Sequence, residues 1–398
     1  MSANTGGGAI NRFNLTRLEA VVSGRGAVNV LEEEMDSRGA RRVLVTTTRS
    51  LVDSRTLDKV RQALGSRFVG VGVNAGQHAP SEGVRSIAED LKKHDADAVV
   101  SLGGGSVIDS TQVAVASVVN GRDMTKEGGQ LQLERAFGGE RSKGFLHIAI
   151  PTTLSAGAFT PAAGVLDVAS RTKAAVILPW LQPAVVIHDP ELTVTTPRDL
   201  WLSTGIRALD HAIEALYSRK PHVLGDALAV EAIRMLFHHL PRSTGEDDAA
   251  LDHRTACLDA AWLSLYGGFN TGLGVSHALS HQLGPKWDVP HGVSSCITLP
   301  PSMELMADIS PQRFAKIAAA LDIPFEPESA REAALKSAQA VDQFISGLDL
   351  PMKLRDVGVK REELTSIAEA TRIGLEIFDA TDRPVTTAEI VGLLERCF

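Results

Sequence analysis

Four histidines and one arginine offer the most chemistry in this chain. His211 stands in Gly205-Ile206-Arg207-Ala208-Leu209-Asp210-His211-Ala212-Ile213-Glu214, one helical turn after Arg207, and a spacing of four puts both side chains on one face. His277 and His281 repeat that spacing in Val275-Ser276-His277-Ala278-Leu279-Ser280-His281, and His291 follows in Asp288-Val289-Pro290-His291-Gly292. A lone histidine in an apolar helix is usually a satisfied core residue, but four at such spacings form a set. Two chemistries compete for it. Histidines from two helices and a loop can hold a transition metal that polarises a carbonyl or alkoxide. They can equally act as metal-free acid/base and hydrogen-bonding groups beside a hydride acceptor. Arg207 discriminates, because a guanidinium repels a cation in a dry site. It suits a substrate carboxylate, which it can grip bidentately. No metal is therefore expected. The plain alternative is that Arg207 pairs with Asp210 and only props up a wall.

A hydride acceptor needs a donor, and the first half of the chain offers a place for one. Gly103-Gly104-Gly105-Ser106 follows the apolar run Ala98-Val99-Val100-Ser101-Leu102 and precedes a helical stretch, Val107 to Val119. Glycines let a backbone approach a pyrophosphate, and a helix N-terminus supplies free N–H groups and a positive dipole end. Pro151-Thr152-Thr153 offers hydroxyls after another strand, at the carboxyl edge where open parallel sheets bind ligands. Thr46-Thr47-Thr48-Arg49 stands where a dinucleotide's adenosine ribose would lie, with no acidic residue to repel a 2′-phosphate, so NAD and NADP both remain open. The cofactor-binding candidates are Thr47, Arg49, Gly103, Gly104, Gly105, Ser106, Asp109, Thr152, Thr153 and Lys173.

The elements that must position these residues alternate early and turn helical later. Arg42 to Thr46, Ala98 to Leu102, His147 to Ile150 and Ala184 to Ile187 read as strands, and Ser81 to His94 as a helix with Val84, Ile87, Ala88 and Leu91 on one side. Strand, helix, strand implies a parallel, Rossmann-like sheet. From about Pro197 the segments Leu228–Leu240, Asp252–Tyr266, Pro311–Leu321, Ala330–Ile345 and Arg361–Ala370 carry helical apolar spacing. The expected division is an α/β dinucleotide-binding domain over residues 1–190 and an all-α catalytic domain over 191–398.

Composition agrees with a large globular enzyme. The 398 residues are 44% apolar with a net charge of −8, which disfavours nucleic acid, and Cys257, Cys296 and Cys397 are too few and too scattered for a disulfide framework. A cytoplasmic protein without a membrane span is expected, because the opening stretch Met1 to Asn11 does not read as a secretory signal.

Taken together, Gly24-Arg25-Gly26-Ala27, the Gly103 to Asp109 loop, Pro151-Thr152-Thr153, Asp189-Pro190-Glu191-Leu192-Thr193 and the His211, His277, His281, His291 set resemble the iron-containing alcohol dehydrogenase superfamily. That resemblance implies a dehydroquinate synthase-like fold, a homodimer and NAD(P) on the glycine loop. It also implies a metal held by an aspartate and three histidines, here His211, His277 and His291, with His281 catalytic in the same cleft. The aspartate position carries Arg207 instead. In this the chain is more similar to the metal-independent maleylacetate reductases, whose shorter Pro-Thr-Thr loop and aromatic-Asp-apolar-Pro-His run match Pro151 to Pro161 and Trp287 to His291. Those enzymes carry a neutral residue at position 207 and a glutamate at Ala158. The expected function is metal-free NAD(P)H reduction of an oxo-dicarboxylate or related activated carbonyl, with Arg207 as carboxylate anchor, His281 as proton donor, and His211 and His291 positioning the substrate. The alternatives are an iron- or zinc-dependent alcohol dehydrogenase using Asp210 as substitute ligand, or a nucleotide-binding homologue without catalysis.

Overall fold

The computed structural model describes residues 13–15, 18–126, 145–168, 172–178, 180–266 and 268–398; the opening stretch Met1 to Asn11 lies outside them. Six parallel strands form one sheet in the order β1-β8-β5-β4-β2-β3, with β1 Ala20–Ser23, β2 Val43–Thr46, β3 Phe68–Gly72, β4 Ala98–Gly103, β5 Leu146–Pro151 and β8 Val185–His188. Helices α1 (Leu31–Ser37), α2 (Arg55–Leu64), α3 (Ser81–Lys93) and α4 (Gly105–Asn120) connect them. Alternation along the strands divides the core: Val43, Val45, Val100 and Leu102 pack with Leu31, Leu57 and Val60, while Leu44 and Val99 pack with Ile87, Leu91 and Val113. The sheet is therefore covered on both faces, and its exposed working surface is the edge where the strands end.

The short edge strands β1 and β3 are not apparent from sequence. β1 spans four residues, and β3 reads Phe-Val-Gly-Val-Gly, whose glycines dilute the strand signal. An antiparallel hairpin, β6 (Ala162–Asp167) with β7 (Thr172–Ile177), packs on α4 beside the sheet.

After His188 every regular element among the described residues is helical. These are α5 (Arg198–Tyr217), α6 (Val223–His239), α7 (Asp248–Tyr266), the single turn α8 (Gly268–Thr271), α9 (Val275–Trp287), α10 (His291–Ile309), α11 (Ala315–Ala320), α12 (Ala330–Ser346), α13 (Leu364–Phe378) and α14 (Thr387–Cys397). α5 is buried continuously from Trp201 to Tyr217 and packs against α6, α7 and α10, which makes it the axis of this half. The halves are pinned by Arg25 to Asp248 and Asp252, and by Asp259, which accepts from Ser23 Oγ (2.8 Å) and meets His188 Nδ1 (2.9 Å). No helix among the described residues is long and apolar enough to cross a membrane. All three cysteines are free and buried.

Candidate active site

The pinned halves enclose one cleft of about 1540 Å³ between the strand ends and helices α5, α9, α10 and α13. Its sheet wall is made largely of backbone and hydroxyls. Gly103 ends β4 at φ 156°, and a Cβ there would stand 2.6 Å from Val107 Cγ2. A Cβ on Gly105 would stand 2.8 Å from Ser155 Oγ, so both positions exclude larger residues. The neighbouring strand delivers Thr152, whose N–H donates to the Gly103 carbonyl (3.0 Å). Ser106 Oγ accepts from His78 N (3.1 Å), and Asp109 Oδ2 accepts from Gly164 N (3.2 Å), tying the loop to its surroundings. Gly103, Gly104, Gly105, Ser106, Asp109, Thr152 and Thr153 all line the cleft. This close-fitting glycine cradle at a helix N-terminus fits a dinucleotide pyrophosphate.

Two cofactor candidates fall elsewhere. Thr47 is fully buried and donates to the Leu102 carbonyl (2.8 Å), so it joins β2 to β4. Arg49 is exposed and lies outside the cleft lining. Thr48 and Ser50 stand in their place, with hydroxyls 2.9 Å apart on the cleft wall. One residue of register in an irregular turn decides which threonine faces the ligand, and strand alternation does not reach that far. Lys173 lies on β7 opposite Leu166.

The helical wall carries the histidines in a row. Ring centroids are 5.6 Å apart from His211 to His277, 4.6 Å from His277 to His281, and 5.9 Å from His281 to His291. His78 extends the row 5.6 Å beyond His291, with Nε2 3.2 Å from Asp288 Oδ1. His78 was not singled out from sequence. It sits in a loop two residues before Pro80 with φ 61°, a conformation that no local pattern announces.

Arg207 lies among these rings, 4% exposed, and it is engaged. Nη1 meets Asp210 Oδ2 (3.2 Å) and Ser295 Oγ (3.1 Å), while Nη2 lies 2.5 Å from Nδ1 and 3.2 Å from Nε2 of His277. Asp210 Oδ2 also accepts from Ser276 (2.8 Å) and Ser295 (2.6 Å). The expected carboxylate anchor is therefore committed to an internal ion pair, because the pair is buried where an unmatched charge would be costly. Asp210 faces this pair and does not line the cleft, which removes it as a substitute metal ligand.

Electrostatics follow from burial. Desolvation, then the Arg207 charge, holds both His211 and His277 well below the ordinary imidazole value. Burial pushes Asp210 up, opposed by Arg207 and the two serines. Burial, then the neighbouring Asp210, pushes Glu214 up to about 8; its carboxyl accepts from Gly274 N (2.7 Å) and Ser276 N (2.9 Å) at the start of α9. His211 Nδ1 is buried and has no hydrogen-bond partner within the fold.

The donor set does not fit a metal ion. A guanidinium, which only donates, takes the one acceptor nitrogen that a neutral His277 ring offers. Among the described residues, no group of three or more His, Cys, Asp or Glu could hold a metal.

Comparison with known proteins gives a consistent relationship. Family models described as iron-containing alcohol dehydrogenase, and as the C-terminal part of the Fe-containing alcohol dehydrogenase family, match residues 19–190 and 201–398. The NAD-dependent methanol dehydrogenase of Bacillus methanolicus is 29% identical over 88% of this chain and 91% of its own. A solved 1,3-propanediol oxidoreductase superposes with a TM-score of 0.87 at 25% identity, over 97% of this chain and 99% of its own. The maleylacetate reductase of a Rhizobium species superposes with a TM-score of 0.77 at 27% identity, over 97% of both chains.

Proposed function

The chain belongs to the iron-containing alcohol dehydrogenase family, and from that premise we propose that it is an NAD(P)-dependent reductase whose histidine cleft works without a metal. The observation that carries the metal-free reading is Arg207, paired with Asp210 and hydrogen-bonded to His277 within the histidine row. Gly103 to Ser106, Thr152 and Thr153 would hold the dinucleotide, which would supply a hydride. His281 donates the proton to the carbonyl oxygen as that oxygen takes the π electron pair. His211, neutral and lining the cleft, positions the substrate.

The oxo-dicarboxylate substrate draws support from the 27% identity with a maleylacetate reductase, but Arg207 no longer speaks for it. A second reading, a metal-dependent alcohol dehydrogenase, is favoured by overall likeness: the propanediol oxidoreductase superposes at 0.87 against 0.77 for the maleylacetate reductase. It would require Arg207 to leave His277. Chelator-treated protein assayed with NADH and NADPH against maleylacetate and simple aldehydes separates the two. Undiminished turnover supports the metal-free reading. Turnover lost on chelation and restored by iron or zinc overturns it.

A further inference from the structure

The histidine row rides on separate helices, with His211 on α5 and His277 and His281 on α9, so the joint between α5 and α9 sets its spacing. A helix commonly begins after a Ser, Thr, Asp or Asn whose side chain accepts from its first free N–H groups. α9 begins after Gly274, which has no side chain to offer.

The missing cap comes from α5. Glu214 is fully buried there, three residues after His211. Its Oε2 accepts from Gly274 N (2.7 Å) and its Oε1 from Ser276 N (2.9 Å), two of the N–H groups that the start of α9 leaves free. Tyr217 Oη donates to Oε1 as well (3.0 Å). A Cβ on Gly274 would stand 2.8 Å from Glu214 Oε1 and 3.0 Å from Tyr217 Cε2. The φ of Gly274 is −98°, which any residue adopts, so the closeness of Glu214 and Tyr217 demands the glycine rather than the backbone conformation. A local cap is absent, and a carboxyl 60 residues earlier in the chain takes its place.

The same turn is held at Ser276, whose Oγ donates to Asp210 Oδ2 (2.8 Å) and lies 2.8 Å from Thr298 Oγ1 on α10. His277 is the next residue, and His281 stands one turn further along the helix. Glu214 does not line the cleft, so it can act on the reaction only through α9.

Resting on the reductase reading, in which His281 donates the proton, we infer that Glu214 is a positioning residue of the reaction. By capping α9 from α5 it fixes where that helix starts, and so where His277 and His281 stand relative to His211. A misplacement of about 1 Å can cost about 10²-fold in rate, whereas the loss of a cap by itself costs only stability. The two consequences can be separated.

The test compares the full-length parent with Glu214→Gln, Glu214→Ala and the double variant Glu214→Ala with Gly274→Ser, which moves the cap onto α9 itself. NADH and NADPH oxidation with maleylacetate and with propanal gives kcat and KM, thermal unfolding gives Tm, and nucleotide titration gives Kd. Glu214→Gln sets a donor against one of the two N–H groups, and it should lower kcat about tenfold with KM and the nucleotide Kd within about twofold. Glu214→Ala should lower kcat by up to about 10²-fold and lower Tm as well. The double variant should regain Tm without regaining kcat. Recovery of kcat in step with Tm overturns the inference, because a cap from any source would then suffice. Parental kcat in Glu214→Gln overturns it too and leaves the reductase reading standing, and this variant decides alone if Glu214→Ala does not fold. A parent that reduces neither compound with either nucleotide overturns the reductase reading, and the positioning role with it.

Discussion

The two walls of the cleft are polar in opposite ways. On the sheet side the polarity comes chiefly from N–H groups, carbonyls and hydroxyls of Gly103 to Ser106, Thr152 and Thr153, fixed by the strand ends. On the helical side it comes from a buried ion pair, Arg207 at 4% and Asp210 at 0% exposure, with serines and histidines from α9 and α10. A backbone-built site asks mainly that side chains stay small. A side-chain network asks for every partner at once, since each member satisfies a group that is otherwise stranded away from water.

The sharpest break of this comparison removes the proposed proton donor. His281→Ala is expected to lower kcat about 10²–10⁴-fold, the contribution of a positioned proton donor, with the Kd for NADPH unchanged. Stopped-flow turnover with a nucleotide titration checks both. Next in size is Asp210→Ala, which strands the Arg207 charge and should destabilise the helical half by roughly 3–5 kcal/mol, read by denaturant unfolding. The double variant Arg207→Met with Asp210→Leu should recover most of that loss. If the single variant unfolds like the parent, the pair is not the strut that its burial implies.

The same contrast explains what is legible in the sequence. The sheet, the glycine loop and the helical second half can be read because each is local: a strand run, a Gly cluster and a helix follow one another within about twenty residues. The histidines of α9 are legible for the same reason. For Arg207 only the pairing with Asp210, three residues on, is legible; its other partners His277, Ser280 and Ser295 lie 70, 73 and 88 residues away and only folding brings them together. His78 and the Thr48–Ser50 hydroxyls are hidden by irregular turns, where a single residue of register changes which side chain faces the cleft.

The sheet half also keeps a buried ionisable group neutral. His147 on β5 contacts Ser101 Oγ at 2.8 Å, and burial pushes its pKa down to about 3. A base depressed from about 6.5 is neutral in both states at higher pH, so the fold keeps its full stability there. As pH falls, the unfolded chain takes up the proton first, and about 2 kcal/mol should be lost by pH 5. His147→Gln should flatten that slope in paired unfolding curves. An unchanged slope would mean that the ring is protonated within the fold.

The smallest effects test adjacent residues with opposite assignments. Thr47 donates into the sheet, so Thr47→Val should cost about 1 kcal/mol of stability and leave nucleotide affinity alone. Thr48 lines the cleft where the ribose would lie, so Thr48→Asp should place a carboxylate near any 2′-phosphate and raise the Kd for NADPH about tenfold. NADH, with a hydroxyl at that position, should bind Thr48→Asp as well as the parent or better. Fluorescence titration with both nucleotides reads the split directly. If Thr47→Val rather than Thr48→Asp changes the ratio of the two affinities, the turn after β2 presents the other threonine when nucleotide binds, and the division between structural and ligand-facing hydroxyls on this wall must be redrawn.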